Sequence, residues 1–192
     1  MGYLALLAGL CAAPAFAQTP ARINGAIVST SADRLEVQTE EGRVTVVLPP
    51  NIRITAVADR KLESIKPGEF IASAAMRGRD GKLHAQEVRI FPEALRGVGE
   101  GHRPMSEPEQ TMTNATVDGV ADAPAGRALH VRYPGGEQTI EVGPDVRVVG
   151  VLMGDRSLLV PGATVSIRAT RSGETLTATS IQAEKDGVKP PP

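Results

Sequence analysis

The chain has 192 residues, a formal net charge of −1 and 41% hydrophobic side chains, which predicts one domain or two small ones. Aromatic residues make up 3% of it, and its 20 glycines and 15 prolines favour many turns over long helices. The near-zero charge excludes a whole-molecule field that would attract nucleic acid or an acidic membrane surface.

The first 17 residues, MGYLALLAGLCAAPAFA, carry no charged side chain and are typical of a secretory signal peptide. Their apolar run is followed by Ala15-Phe16-Ala17, which places small residues at −3 and −1 of a cut before Gln18. The usual basic residues ahead of the run are missing, so we expect a start codon further upstream; a buried N-terminal helix is the alternative. Cleavage near Ala17 predicts a periplasmic or secreted protein.

Cleavage would remove Cys11, the single cysteine of the chain. The mature protein would then have no disulfide, no thiolate metal site and no cysteine nucleophile. No apolar segment after Gln18 is long enough to span a bilayer. We therefore expect an exported protein that does not cross the membrane.

A shift of 94 residues aligns two parts of the chain without a gap from Gly25 to Arg77. This self-similarity predicts a tandem duplication. Identical pairs include Gly25 with Gly119, Leu35 with Leu129, Val37 with Val131, Pro50 with Pro144, and Gly68 with Gly162.

Each copy contains the same order of predicted elements. In the first copy, RLEVQT alternates and places Leu35 and Val37 on one face, as a half-buried strand does. ADRKLESI predicts one or two helical turns, which Pro67-Gly68 ends. In chain order, the strand candidates of the first copy are INGAIVS, RLEVQT, RVTVVL, IRITAV, EFIASAAM and LHAQEVRIF, and those of the second copy are ATVDGVA, ALHVRY, QTIEV, VRVVGVL, ATVSIRA and TLTATSIQA.

These elements predict an all-β fold of two tandem small OB-like barrels, each with five or six strands and one short helix. Gly25 and Gly119 are expected to mark a bend or bulge that lets a barrel close, and close approach of a ligand is the alternative. The predicted boundaries are a signal peptide at 1–17, a first barrel at 22–91, a Gly/Pro/Glu-rich linker at 92–113, a second barrel at 114–184 and a disordered tail at 185–192.

The stretches INGAIV, IKPGEFIASA and DGKLHAQEV, with VDGVAD, LVPGATVSIRA and GETLTATSI in the second copy, carry a resemblance. They are similar to an OB-like β-barrel domain of unknown function found in secreted bacterial proteins, often in tandem. The resemblance covers residues 22–184 and implies the fold, but it implies no catalytic residues. The second copy departs from the pattern because its last hairpin lacks the DGK turn.

The sequence contains few residues or motifs typical of catalysis or of nucleic-acid binding. The chain has no G-x-S-x-G elbow and no H-E-x-x-H helix, and His84 and His130 are expected on solvated strand faces. Few aromatic residues and no strong basic footprint argue against nucleic acid as a partner. A small hydrolase stays as a third hypothesis, which would need a histidine beside a hydroxyl and an acid.

The stretch RGVGEGHRP raises a metal hypothesis for the linker. His102, Met105 and Glu100 offer imidazole, thioether and carboxylate ligands, which suit copper or zinc. The alternative is that His102 packs the linker against a barrel by hydrogen bonding. If Gly97 and the glycines after it form a fixed turn, the linker would be a clamp in the groove between the barrels and not a flexible tether.

The leading hypothesis is a non-catalytic periplasmic or secreted binding or adaptor protein. Its two barrels would present grooves or edges to an unknown protein, an envelope component or a small ligand, without a cofactor. The alternative hypothesis is a periplasmic accessory protein that binds copper or zinc through His102. An ordered linker with His102, Met105 and an acid in bonding reach would favour that alternative.

Overall fold

The structure, a computed structural model, describes residues 18–124 and 126–191, and the predicted signal segment with Cys11 lies outside them. The all-β prediction is confirmed, and no helix of the described residues has the length and apolar character needed to cross a membrane. Each predicted short helix is a single 3₁₀ turn, at Leu62–Ser64 and Arg156–Leu158.

The strands of the first copy are β1 (Thr19–Thr30), β2 (Arg34–Thr39), β3 (Gly42–Val47), β4 (Arg53–Arg60), β5 (Phe70–Arg77) and β6 (Leu83–Phe91). A short strand, β7 (Gly101–Pro104), lies between the copies. The strands of the second copy are β8 (Gln110–Ala123), β9 (Gly126–Tyr133), β10 (Gly136–Val142), β11 (Arg147–Gly154), β12 (Thr164–Ser172) and β13 (Thr175–Ala183).

The first barrel is a closed ring of five strands in the order β13–β12–β1–β2–β3. It closes because β3 pairs in parallel with β13. Leu35, Val37, Val46 and Ile167 are fully buried inside it, and the alternation along β2 puts Leu35 and Val37 on the inner face as predicted. This barrel therefore combines three strands of the first copy with two of the second.

The second barrel is a closed ring in the order β10–β9–β8–β5–β6, with Leu83, Leu129 and Ile140 buried in its core. It closes through a short parallel seam between β6 and β10, in which Leu83 lies opposite Ile140 and His84 opposite Glu141. It combines three strands of the second copy with two of the first.

The two copies thus exchange their last hairpins, and the predicted tandem division at 22–91 and 114–184 differs from the observed pairing. The reason lies in β4 and β11, which pair antiparallel with each other outside both rings. At roughly 3.3 Å per residue, a strand of this length extends about 26 Å, enough to carry the chain from one barrel to the other. The hairpin that follows each of these strands then completes the opposite barrel.

The exchange has a pseudo-two-fold axis at the centre of the β4–β11 ladder. Val57 lies directly opposite Val151, which is its own equivalent in the 94-residue repeat. A residue that faces its own equivalent marks a two-fold axis, as in a symmetric dimer. The five strands of one ring therefore have counterparts in the other ring.

The 94-residue offset between the two copies does not hold for their first strands, β1 and β8. Ile27 of β1 lies opposite Val37, and Val117 of β8 lies opposite Val131. Val37 and Val131 are 94 residues apart, whereas Ile27 and Val117 are 90 apart. The first hairpin of the second copy is therefore four residues longer.

The alignment of Gly25 with Gly119 is wrong as a consequence. Gly119 directly follows the bulge in β8, as expected of a bulge glycine, whereas Gly25 precedes the bulge in β1. The true equivalents are Ala21 with Thr111, Arg22 with Met112, Ile23 with Thr113, and Asn24 with Asn114.

The predicted linker at 92–113 is not a flexible tether in the structure. It contains a 3₁₀ turn at Glu93–Leu95 and then β7, which pairs with the first part of β8. Gly97, Gly99 and Gly101 have φ values of 81°, 61° and 130°, which side-chain-bearing residues rarely adopt. They fix the turn as the clamp hypothesis required, but the segment packs along β8 and not in the groove between the barrels.

The tail at 185–192, predicted to be disordered, is packed against the barrels as far as the structure describes it. Lys185 and Val188 form a bridge, and Arg147 Nη2 donates to the carbonyl of Lys189 at 2.9 Å. Pro190 and Pro191 are buried.

Candidate functional site

His102, the anchor of the predicted metal set, lies on β7 and contacts the second barrel. Its Nδ1 is 2.8 Å from Thr113 Oγ1, and its ring stacks on Tyr133 with centroids 6.3 Å apart. Burial lowers the pKa of His102, and the nearby charge of Arg77 lowers it further. These are the contacts expected when His102 packs the linker against a barrel.

The described contacts of Glu100 and Met105 do not include His102, so they do not form one ligand set with it. The pKa of Arg96 is raised by its hydrogen bond with Glu93 and, to a smaller extent, by the charge of Glu100. Met105 donates its backbone N–H to the carbonyl of Gln110 at 2.9 Å, and the residue is 38% exposed.

His130 lies beside a hydroxyl, as the hydrolase hypothesis required. Its Nδ1 is 3.1 Å from Thr139 Oγ1 in an open pocket that Asp118 also lines. Asp118, however, accepts a hydrogen bond from Arg132 at 2.6 Å. Glu137 also lines the pocket, and no described contact joins either carboxylate to the imidazole, as a catalytic triad needs.

One side of β1 has no described strand against it along its first half. The second half, from Ala26 to Thr30, pairs with β2. Beside the first half runs a cavity of about 630 Å³, which we call the edge slot. It is lined by Ala21–Gly25 of β1, Gln38–Glu41 of the β2–β3 hairpin, Val44, Arg171 and Leu176.

The equivalent position in the second barrel is filled by the chain itself. β7 pairs antiparallel with β8, with His102 opposite Thr113 and Arg103 opposite Met112. Thr113 and Met112 are the counterparts of two residues that line the edge slot. Within the described residues, the chain thus supplies an added strand to one barrel and none at the same place in the other.

The backbone of β1 offers hydrogen-bonding groups to the edge slot. The N–H of Ile27 donates to Ala163 at 2.9 Å, and its carbonyl accepts from Gly162 at 2.8 Å, so Ile27 faces β12. Successive residues of an antiparallel strand point their backbone groups to opposite sides. The N–H and C=O of Asn24 therefore face the edge slot.

The floor of the edge slot is more apolar than that of its filled counterpart. Ile23 and Val44 stand where the second barrel has Thr113 and Gln138. Leu176 completes the floor, and the rim is charged. The charged lining residues are Arg22, Glu40, Glu41 and Arg171.

A second cluster, the seam cluster, lies where β6 and β10 close the second barrel. His84 Nε2 is 3.1 Å from both carboxylate oxygens of Asp80, and its Nδ1 is 3.8 Å from Glu141 Oε2. Within the described residues, Asp80, His84 and Glu141 form a group that could hold a metal ion, with candidate ligand atoms within 4.8 Å of one another. One imidazole and two carboxylates are ligands that zinc accepts.

Charges around the seam cluster are already balanced in part. The hydrogen bond to His84, with a further bond from the Lys82 backbone, holds the pKa of Asp80 below its usual value. Lys82 donates to Glu141, which raises the pKa of Lys82. A Cβ added to Gly78 would lie 2.6 Å from Asp80 Oδ1 and 2.8 Å from the ring of His84, so this glycine makes room for the pair.

The seam of the first barrel has no such cluster. Val47 and Thr177 stand at the positions of Glu141 and His84. Because that seam closes with an apolar and a neutral side chain, the charged groups of the seam cluster are not required to close a barrel of this kind.

Sequence reasoning missed both the edge slot and the seam cluster. His84 was expected on a solvated strand face, and its meeting with Glu141 depends on the hairpin exchange. The edge slot depends on a four-residue strand, β7, inside a segment with linker composition. Comparison of the chain with protein-family models, with curated proteins and with solved structures found no match.

Proposed function

We propose that this protein is a non-catalytic, exported adaptor that binds an extended segment of a partner protein in the edge slot. The observation that carries the proposal is the chain's own β7, which occupies the equivalent position of the second barrel. The signal-like residues 1–17 support export.

Binding would proceed by addition of a strand to β1. In this mode backbone hydrogen bonds supply affinity, and pockets for alternate side chains supply specificity. The backbone N–H and C=O of Asn24 would pair with the peptide. A cavity of about 630 Å³ beside β1 has room for the side chains of a short strand.

The pairing of β7 also indicates which side chains the peptide would carry. The residue in the place of His102 would face Ile23 and Val44, so an apolar side chain fits there. The residue in the place of Arg103 would face Arg22, so an acidic side chain fits better than a basic one. A probe that meets both conditions is Val-Gly-Glu-Gly-Val-Glu-Pro-Met, which is residues 98–105 with His102→Val and Arg103→Glu.

We expect Asn24→Pro to weaken binding of this probe about tenfold or more, because it removes a donor that faces the edge slot and places a ring there. The substitution should leave the β1–β12 ladder intact, since the N–H of Asn24 points away from β12. Binding is measured by titration calorimetry, and backbone amide shifts in the NMR spectrum locate the site.

Asn24→Ala is the matched control, because it keeps the N–H, and it should bind the probe as the unsubstituted protein does. Shifts that map to residues 21–25 and 38–41 would support strand addition. Equal binding by Asn24→Pro, or shifts confined to another face, would contradict it.

The second candidate function is metal binding, and the observation that favours it is the seam cluster. We expect zinc to raise the melting temperature by roughly 5–10 °C at a hundredfold excess over its dissociation constant, since binding to the folded state alone gives about 2.7 kcal/mol there. His84→Ala should abolish the rise. The measurement is a thermal melt with zinc and, in parallel, with copper.

His102→Ala is the control for the metal experiment, and it should retain the zinc effect. Loss of the zinc effect in His102→Ala but not in His84→Ala would place the metal site at His102, Met105 and Glu100 and not at the seam cluster. No rise with either metal would leave the seam cluster as a set of ion pairs that joins β6 to β10.

A further inference from the structure

One end of the edge slot lies where β2 turns away from β1. The pair of these two strands that is nearest to the edge slot is Ala26 with Gln38. The backbone of β2 comes very close to β1 there, since a Cβ added to Gly25 would lie 2.2 Å from the carbonyl oxygen of Gln38. A peptide strand that pairs with Asn24 and continues straight towards its own N-terminus would therefore run into β2.

The chain's own β7 meets the same obstacle in the second barrel. One residue of β8, Ala115, separates the end of β9 from the start of β7. The chain enters β7 through a sharp turn, in which Gly99 and Gly101 have φ values of 61° and 130°. Asn114 Nδ2 donates to the carbonyl of Val98 at 2.8 Å, which holds this turn against β8. An internal segment thus uses glycines to reach this place, whereas a strand that begins there needs no turn.

Two glutamates lie at the same end of the edge slot. Glu40 and Glu41 form the tip of the β2–β3 hairpin, two and three residues beyond Gln38, and both are exposed and line the edge slot. Neither has an ion pair or a side-chain hydrogen bond with another residue that the structure describes. Two carboxylates are therefore available beside the place where an added strand would begin.

The equivalent hairpin tip in the second barrel is uncharged. Pro134 and Gly135 stand in the places of Glu40 and Glu41. The β9–β10 hairpin closes its barrel without these acids, so the fold does not require them. The chain that enters this barrel at Gly101 is continuous, and its peptide nitrogen carries no charge. The acids thus occur in the barrel whose added strand would come from another molecule.

On the premise of the proposed function, that the edge slot adds a strand, we propose that it binds the free N-terminus of a partner polypeptide and not an internal segment. An ammonium group has three donors. One would pair with the carbonyl of Asn24, and the others would reach the carboxylates of Glu40 and Glu41 as charge-assisted hydrogen bonds. Capture of an N-terminal amine is a recurring mode of peptide recognition, and signal-peptide cleavage creates such an N-terminus on an exported partner.

The test compares two short probes that differ in the amino group alone, both with an amidated C-terminus. Gly-Val-Glu-Pro-Met is the last part of the eight-residue probe and places its N-terminal glycine opposite Asn24. Acetyl-Val-Glu-Pro-Met keeps the carbonyl of that glycine and has hydrogen in place of its amino group. We expect the first probe to bind roughly fivefold more tightly in NMR titrations at low salt, because two exposed ion pairs each contribute modestly and salt screens them.

A double variant, Glu40→Gln with Glu41→Gln, should remove this preference and leave the affinity for acetyl-Val-Glu-Pro-Met unchanged. The matched control is Glu63→Gln with Glu107→Gln. It changes the net charge by the same amount at exposed residues that do not line the edge slot, and it should keep the preference.

Equal affinity for the two short probes would overturn the proposal, and so would a preference that survives in the double variant at Glu40 and Glu41. Binding of the eight-residue probe alone would show that the edge slot takes an internal segment, so that strand addition would stand and capture of an N-terminus would be rejected. Failure of all three probes to bind would reject both.

Discussion

A fragment of residues 61–149 should fold alone as a cooperative monomer, whereas residues 22–91, one complete repeat, should not. The first fragment contains all five strands of the second barrel and every residue of its core, from Ile65 to Val148. The repeat fragment cuts both cores, because it takes Ile23–Ile54 from one and Ile65–Ile90 from the other. A buried core is what offsets the conformational entropy of folding.

With β4 extended as it is in the whole chain, the repeat fragment completes its barrels by dimerising. Two copies of residues 22–91 could exchange hairpins as the two halves of the chain do, with β4 pairing with β4 around Val57. Circular dichroism melts and light scattering after size exclusion would distinguish the states. A cooperative monomer of residues 22–91 would contradict the exchanged topology, as would a fragment 61–149 without a thermal transition.

Gly25→Ala should destabilise the protein by about 3 kcal/mol, which corresponds to a fall of roughly 6–12 °C in melting temperature. A Cβ at Gly25 would lie 2.2 Å from the carbonyl oxygen of Gln38 and 2.8 Å from Cγ1 of Val37. The nearest atom belongs to the backbone of β2, so it cannot rotate away, and β1 would have to move off β2. Thermal and urea unfolding measure the effect.

Gly119→Ala is the control for this prediction, and it should change stability by no more than about 0.5 kcal/mol. The nearest atom to a Cβ there is Cδ2 of His130 at 3.9 Å, an ordinary van der Waals contact. The two glycines were aligned as equivalents, so equal effects would contradict the four-residue difference in offset. Gly25 serves the close approach of two strands of the protein itself.

Local features of the sequence predicted the strands well. Alternation in RLEVQT put Leu35 and Val37 inside, and the repeat indicated two related barrels. The pairing of the hairpins was not predictable in the same way. Ile71 and Val165 face the two cores as equivalents, so either last hairpin fits either barrel, and β4 and β11 decide between them.

The candidate sites were harder to predict because each depends on distant pairing. Composition marked residues 92–113 as a linker. The four strand residues GHRP are too few to show the apolar–polar alternation that identifies a strand in a sequence. His102 was singled out as a ligand, yet its partners Thr113 and Tyr133 come from β8 and β9. Asp80 and Glu141 come together only because β6 and β10 form a seam.

The exchanged hairpins also set the order in which the protein can be completed as it is synthesised. The second barrel uses a continuous stretch, residues 70–142, and its strands are all present once β10 has been made. In the first barrel, β1, β2 and β3 cannot close a ring until β12 and β13 have been synthesised. Contacts of such large sequence separation slow folding. A ribosome that stops before Thr164 would therefore release a chain with one finished barrel and three strands exposed to aggregation.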